Sequence, residues 1–271
     1  MLVFVSRPFE GLTGECDLVA LRELVPAATA PLSLAGSVET DRSVVLCSLL
    51  PGAAPALVRQ DGTVWLGMQV QHGFGDPSRD LAAVLLKALE AEPGSMVGLT
   101  EDPGEGPRLQ DVLADEPLAV SVHDTFDFWI ADLDDADGSL SASLQQANGA
   151  ITPTDKLTSV PSAYWTDVGS KEHLRWVLPH DEETLLSALA RLHAQGKDRL
   201  TEDSRLVGMF RAHGLLVPVW DLAVGTGAEA LEDPAAQFAE DLDAALADDT
   251  PLTTEERAAR SGLANRQVTI R

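Results

Sequence analysis

The stretch that decides the fold runs from residue 162 to residue 222. Its informative parts read SAYWTDV (162–168), KEHLRWVLPH (171–180) and SRLVGMFRAHGLLVPVWDL (204–222). Short runs that contain aromatic and β-branched side chains predict two adjacent strands at 163–168 and 172–178. Two further strands are predicted at 205–213 and 215–222, and Gly214 makes them either a hairpin or one long bent strand.

An amphipathic helix is predicted between these two strand pairs, because it follows the capping residue Asp181 and ends at Gly196. The first half of the chain has a similar arrangement. Asp61-Gly62 is a turn signal inside a predicted hairpin, and Asp76-Pro77 then opens a helix. Strands therefore come in adjacent pairs, which predicts an α+β fold with mostly antiparallel sheet and packed amphipathic helices. The recurrence is compatible with a duplicated β-β-α unit.

An acidic stretch separates the two halves of the sequence. Residues 132–138 read DLDDADG and have the composition of a linker. The predicted organisation is an N-terminal α+β half, residues 1–131, and a C-terminal α+β half, residues 139–271. A single compact domain is the alternative.

Charge and composition exclude several classes of partner. The chain has 271 residues and a formal net charge of −24, which disfavours nucleic acid and anionic membranes as direct partners. No apolar run reaches the length of about 18 residues that a membrane-spanning helix needs. Cys16 and Cys47 are the two cysteines and form no CxxC pair, which is typical of a reducing compartment. We therefore expect a cytoplasmic protein that acts on a protein partner or a small ligand.

One group of polar side chains is a candidate binding site. Residues two apart in a strand share a face, so His173 lies beside Arg175, and Arg211 beside His213. If the two strands are neighbours, these four side chains converge near Trp220 or Asp221. Arginine and histidine donors in such a cluster would suit an anionic ligand. The competing interpretation is a solvated sheet face on which arginine stems cover apolar surface.

Catalytic, cofactor and metal motifs are missing from the sequence. It contains no GxGxxG after a strand, no GxSxG and no HExxH. Gly225-Thr226-Gly227 follows a predicted strand but lacks the third glycine and the lysine of a phosphate-binding loop. We therefore expect no cofactor, no metal ion and no identifiable catalytic residue.

Several segments nevertheless resemble an uncharacterised protein family of high-GC Gram-positive bacteria. They are RPFEGLTGECD (7–17), VPAATAPL (25–32), SRDLA (78–82), GPRLQD (106–111), HLRWVLPH (173–180), LARLH (189–193), FRAHGLLVPVWDL (210–222) and LANRQVT (263–269). Members of this domain-of-unknown-function family are often described as SecA-like or topoisomerase-like, and many carry a cysteine-rich SEC-C zinc motif. That motif is absent here, so the resemblance transfers no zinc ligand and no catalytic residue.

Two functions follow as expectations. The first is a cytoplasmic binding or adaptor module without catalysis, which the missing motifs and the resemblance favour. The alternative is an enzyme or sensor that binds a small anionic ligand on the His173, Arg175, Arg211 and His213 face.

Overall fold

The computed structural model describes residues 4–70, 73–99, 101–131 and 139–269. The chain divides into two compact units, Met1–Ile151 and Thr152–Arg271. The acidic stretch 132–138, predicted as a linker, lies outside the described residues.

The first unit combines helices with one six-stranded sheet. Its helices are α1 (Glu15–Glu23), α2 (Pro77–Glu90), α3 (Leu109–Val112) and α4 (Ser139–Asn148). Its strands are β1 (Ala28–Leu32), β2 (Val44–Cys47), β3 (Ala56–Val58), β4 (Val64–Gly67), β5 (Met96–Val97) and β6 (Ser121–Val122). The strand order is β5-β3-β4-β2-β1-β6, in which β2 and β4 pair parallel and the other neighbours pair antiparallel.

The turn at Asp61-Gly62 and the helix start at Asp76-Pro77 are both present in this unit, as predicted. Gly62 adopts a φ of 89° in the turn between β3 and β4, a conformation that glycine adopts without strain. The side chain of Asp76 accepts a hydrogen bond from the Ser78 amide and caps α2, and Pro77 occupies the first helical turn. The apolar stripe of α2 packs against β3, β4 and β5. We call the sheet face toward α2, on which β1 to β4 bury alternate side chains, the inner face.

The second unit has the same class of architecture. Its helices are α5 (Glu182–Ala194), α6 (Glu232–Leu246) and α7 (Thr254–Ala264). Its strands are β7 (Thr154–Lys156), β8 (Ala163–Asp167), β9 (Glu172–Trp176), β10 (Arg205–Ala212), β11 (Leu215–Leu222) and β12 (Gln267–Thr269). The order is β12-β10-β11-β9-β8-β7, antiparallel from β10 to β7, with β12 parallel to β10 at the edge.

The core of the second unit lies on the helix-covered face of its sheet. Leu174, Trp176 and Trp220 from the strands pack with Leu189 of α5 and Phe238 of α6. This face is the inner face of the second sheet, and the opposite side is its outer face. The α+β class with mostly antiparallel pairing is confirmed.

The two sheets share the order of four strands, although β2 and β4 pair parallel where β9 and β11 pair antiparallel. Four strands follow the same spatial order in both, β3-β4-β2-β1 in the first sheet and β10-β11-β9-β8 in the second. A helix follows the fourth strand in each case, α2 after β4 and α6 after β11. In this alignment α5 has no counterpart, because a short 3₁₀ turn, Pro51–Ala53, joins β2 to β3 where α5 joins β9 to β10. The shared pattern is therefore a four-strand order rather than a β-β-α unit that pairs α2 with α5.

Two segments of the first half differ from what their composition indicates. Residues 125–131 have the composition of a strand but contain the 3₁₀ turn Asp127–Trp129, where Trp129 stacks on Phe126. Residues 27–42 have the composition of a loop but contain β1, whose Pro31 side chain points to the exposed side of the sheet. Among the described residues, no helix combines the length and the hydropathy that crossing a membrane requires.

Candidate functional site

The outer face of the second sheet carries a cluster of basic side chains. Strand register places Lys156, Tyr164, Arg175 and Val219 in one row across β7, β8, β9 and β11. Directly opposed residues in antiparallel strands point to the same side of the sheet. The next row therefore places His173, Asp221 and Arg205 on that same side. We call Lys156, Lys171, His173, Arg175 and Arg205 the cationic face.

Asp221 is the carboxylate that the described strands contribute to this face, and two of the basic side chains contact it. The Nδ1 atom of His173 lies 3.0 Å from Oδ1 of Asp221, and Lys171 forms an ion pair with Oδ2. The Lys171 side chain is 57% exposed, whereas those of His173 and Asp221 are 22% and 24% exposed. This end of the face is thus internally neutralised and open to solvent.

Arg175 differs from its neighbours because its guanidinium has no acceptor in the part of the chain that the structure describes. Its Nε atom is buried and makes no hydrogen bond. Burial lowers the pKa of Arg175, and no nearby carboxylate opposes that shift. The row places it between Tyr164, which is fully buried, and the half-buried Val219. The side chain is a mostly buried cation that retains free donors.

Two other buried arginines are bonded through their Nη atoms. Arg191 of α5 donates to the carbonyl oxygens of Asp248 and Thr250, and its Nη1 lies 3.1 Å from Oδ2 of Asp248. The Nη atoms of Arg22 in α1 donate to the carbonyl oxygens of Met68 and Val70, although its Nε, like that of Arg175, is buried without an acceptor. Arg175 differs from both because no atom of its guanidinium is bonded within the described residues.

Arg211 does not join the cationic face, and the cause is a β-bulge. The register of β10 against β11 shifts between Leu206 and Gly208, which turns every later residue of β10 to the opposite side. Arg211 therefore lies on the inner face, where its guanidinium forms a bidentate ion pair with Glu182 at the start of α5. A Cβ atom at Gly208 would lie 2.7 Å from the carbonyl oxygen of Arg266, so the bulge position requires glycine.

His213 and Trp220 are also placed away from the cationic face. His213 and Gly214 have φ values of 48° and 83° and form the two-residue turn of the hairpin from β10 to β11. Trp220 is fully buried on the inner face, and its Nε1 donates to the carbonyl oxygen of Asp198 over 2.9 Å. The expected convergence of four side chains fails because β11 lies between β9 and β10 and because the bulge reverses β10.

The site as built contains residues that the sequence did not single out. Lys156, Tyr164 and Arg205 join His173, Arg175 and Asp221 only through strand register, which the spacing within one strand does not show. The one available signal was the odd-numbered run Lys171, His173, Arg175, which places three basic side chains on one face of a strand.

The glycine loop that follows β11 holds a carboxylate of the protein itself. Glu172 of β9 accepts hydrogen bonds from the amides of Gly225 and Gly227 and from Nε1 of Trp165. Burial alone would raise the pKa of Glu172, but these donors outweigh it and lower the pKa. The backbone donors that could bind a phosphate are therefore occupied.

Other reactive groups are not arranged for chemistry. Burial raises the pKa of Cys16 and of Cys47 to about 12, so neither thiol ionises near neutral pH. Across the described ranges, no three His, Cys, Asp or Glu side chains form a group that could hold a metal ion.

Comparison with known proteins gives one match. Residues 8–271 match the model of a family of unknown function, DUF5926. No curated protein and no solved structure matches the chain. The SecA-like and topoisomerase-like descriptions are therefore without support from relatives.

Proposed function

We propose that this chain, which belongs to the DUF5926 family of unknown function, is a binding module without catalysis whose second unit binds a small anion at Arg175. The observation that carries the proposal is the mostly buried guanidinium of Arg175, which has no acceptor among the described residues. Leaving a buried donor unsatisfied costs about 1–3 kcal/mol. An anion that accepts from Arg175 recovers this cost on binding.

The chemistry of Arg175 selects the kind of ligand. A guanidinium presents a planar set of donors that matches a carboxylate or a phosphate in a bidentate arrangement. His173 lies two residues away on the same face, roughly 7 Å along the strand, and adds an imidazole donor. The cationic face therefore suits a ligand with one strongly anionic group.

The charge of the whole protein limits the size of that ligand. The second unit contains 20 acidic and 12 basic side chains, and the first contains 23 and 7. A long polyanion that reached Arg175 would also meet this negative surface, and the repulsion would oppose its binding. A small carboxylate or phosphate ester can reach the cationic face without that repulsion.

The test is a thermal-unfolding screen with citrate, inorganic phosphate and ATP as probes. An anion at about 100 times its dissociation constant stabilises a binding protein by about 2.7 kcal/mol. We expect at least one probe to raise the melting temperature of the wild-type protein and to have no effect on Arg175→Met.

Arg211→Met is the matched control, because it removes the same group from the other face of the same sheet. Its melting temperature should fall, since Glu182 loses its partner, but the shift caused by the anion should persist. Equal ligand shifts in the wild-type protein and Arg175→Met, or no shift with any probe, would reject Arg175 as the binding residue.

A further inference from the structure

The outer face of the first sheet carries a row of apolar side chains that crosses five strands. Register aligns Met96, Leu57, Trp65, Val45 and Pro31 from β5 to β1. These residues share the side of the sheet opposite to α2, because the alternate positions of each strand are buried on the inner face. We call these five residues the apolar row.

The apolar row is exposed at its two ends and partly exposed between them. Met96 at one end is 64% exposed and Pro31 at the other end is exposed. The three residues between them are half-buried, because they also pack against the buried Cys47, Leu50 and Ala54. The row therefore forms an apolar strip whose middle is recessed, rather than a set of single surface residues. Strips of this kind on a folded protein are typical of interaction sites.

The arginine next to this row is used within the protein. The guanidinium carbon of Arg59 lies 4.4 Å from the centroid of the Trp65 ring, and its Nη1 donates to the carbonyl oxygen of Trp129 over 2.6 Å. Phe128 packs against Trp65 with ring centroids 5.9 Å apart. Arg59 itself is only 6% exposed, so its charge is not presented to a partner.

Exposed carboxylates lie in the segments next to the row. Asp61 lies in the turn between β3 and β4, and Glu92 lies just before β5. Asp124 and Asp127 are both exposed, and they lie before and after Phe126 in the segment that leads to Phe128. The first unit as a whole holds 23 acidic against 7 basic side chains. A partner on this face therefore needs basic groups at its edges.

From this combination we infer that the apolar row is a docking surface for a basic amphipathic helix of another protein. Four gaps between strands of about 4.8 Å give the row a length of roughly 19 Å. A helix covers that length with about 13 residues, so its apolar stripe contacts the row and its flanking Lys and Arg side chains face the carboxylates. A second copy of the chain is a poor occupant, because two surfaces of the same negative charge repel.

The experiment uses the full chain and a labelled 14-residue peptide, LKKLLKLLKKLLKL, as the probe, with binding measured by fluorescence anisotropy at about 0.15 M salt. Met96→Asp and Pro31→Glu each place a negative charge on the row. Electrostatic attraction alone would strengthen binding in both variants, whereas docking on the apolar row predicts binding at least tenfold weaker.

Val224→Asp is the matched control, since Val224 is 66% exposed in the second unit and gains the same charge. It should bind the peptide like the wild-type protein, and so should Arg175→Met, which separates this inference from the anion site. A peptide of identical composition with a scrambled order should bind at least tenfold more weakly. Equal binding of the scrambled peptide, or equal effects of Met96→Asp and Val224→Asp, rejects the docking surface. A wild-type dimer in sedimentation that Met96→Asp converts to a monomer assigns the surface to a second copy instead.

Discussion

The two sheets share an order of four strands, but their outer faces carry different side chains. The first presents Pro31, Val45, Leu57, Trp65 and Met96 in one apolar row. The second presents five basic side chains, and Asp221 is the carboxylate that the described strands add to them. Both rest on a four-strand order with helices on the other side. The strand order alone therefore does not determine what either face binds.

Arginine burial shows the difference most directly. Arg59 in the first unit donates to a backbone carbonyl and stacks on an indole, so the fold itself consumes its donors. The Nε atom of Arg175 in the second unit is buried and makes no hydrogen bond. The first arginine is bonded within the fold, whereas the second is the proposed binding group.

The largest expected effect concerns Arg59. Arg59→Met removes a hydrogen bond from a charged donor and a cation–π contact, and it leaves the carbonyl oxygen of Trp129 without its donor. We expect the free energy of unfolding to fall by about 3 kcal/mol in urea titrations followed by tryptophan fluorescence. The exposed Arg205→Met should change it by less than about 0.5 kcal/mol. If Arg59→Met lowers the free energy of unfolding no more than Arg205→Met does, the contrast between the two units is wrong.

The second prediction concerns a buried carboxylate of the first unit. Asp80 of α2 is 1% exposed, and burial raises its pKa to about 6 although the Phe74 amide donates to it. Ionised Asp80 therefore destabilises the folded state above pH 6, and the penalty disappears as the pH falls toward the ordinary value of 3.8. We expect Asp80→Asn to raise the free energy of unfolding by about 2 kcal/mol at pH 7 and to leave it unchanged at pH 4. Hydrogen exchange of residues 77–90 at both pH values measures this, and an equal gain at pH 4 would contradict it.

The third prediction has the opposite sign of pH dependence and concerns the second unit. Burial alone would raise the pKa of Glu232, but hydrogen bonds from Ser159 and Thr158 outweigh it and lower the pKa to about 2. Its stabilisation is complete above the ordinary value of 4.5 and is lost as the pH falls toward 2. We expect Glu232→Gln to lower the free energy of unfolding by about 1–2 kcal/mol at pH 7 and by much less near pH 2. Hydrogen exchange of residues 232–246 is the measurement, and a loss that does not depend on pH would point to packing instead.

The smallest expected effect is a gain in stability. Arg175→Met keeps most of the aliphatic stem and removes the buried, unsatisfied Nε donor, so the free energy of unfolding without ligand should rise by about 1 kcal/mol. Urea titration of the purified protein tests this against the loss expected for Arg59→Met. A loss of stability at Arg175 would show that an acceptor within the chain already satisfies the guanidinium.

Local signals predicted much of the fold. Asp181 caps α5, Gly196 follows its end with a φ of 70°, and Thr253 with Glu256 forms the expected capping box of α7. Each of these depends on residues a few positions apart, which a single sequence displays. The turn at His213-Gly214 likewise resolves the choice between a hairpin and a bent strand.

The candidate site was only partly predictable, because its assembly is non-local. His173, Arg175 and Asp221 do share a face, as alternation within β9 and pairing with β11 require. Arg211 does not, because one bulge at Gly208 reverses the alternation that the sequence pattern assumed. Lys156 and Arg205 reach the face through pairings between different strands, which no spacing within one strand reveals.

The amides of the Gly225–Gly227 loop are bonded to the carboxylate of Glu172, so a dissolved anion must compete with this side chain for the loop. A group fixed to the same fold acts at an effective concentration on the order of millimolar or more, and it is never diluted. Dissolved phosphate would have to displace a partner that remains beside the loop after every dissociation. The loop is in this sense an anion complex that formed when the chain folded, and its ligand is a residue of the protein.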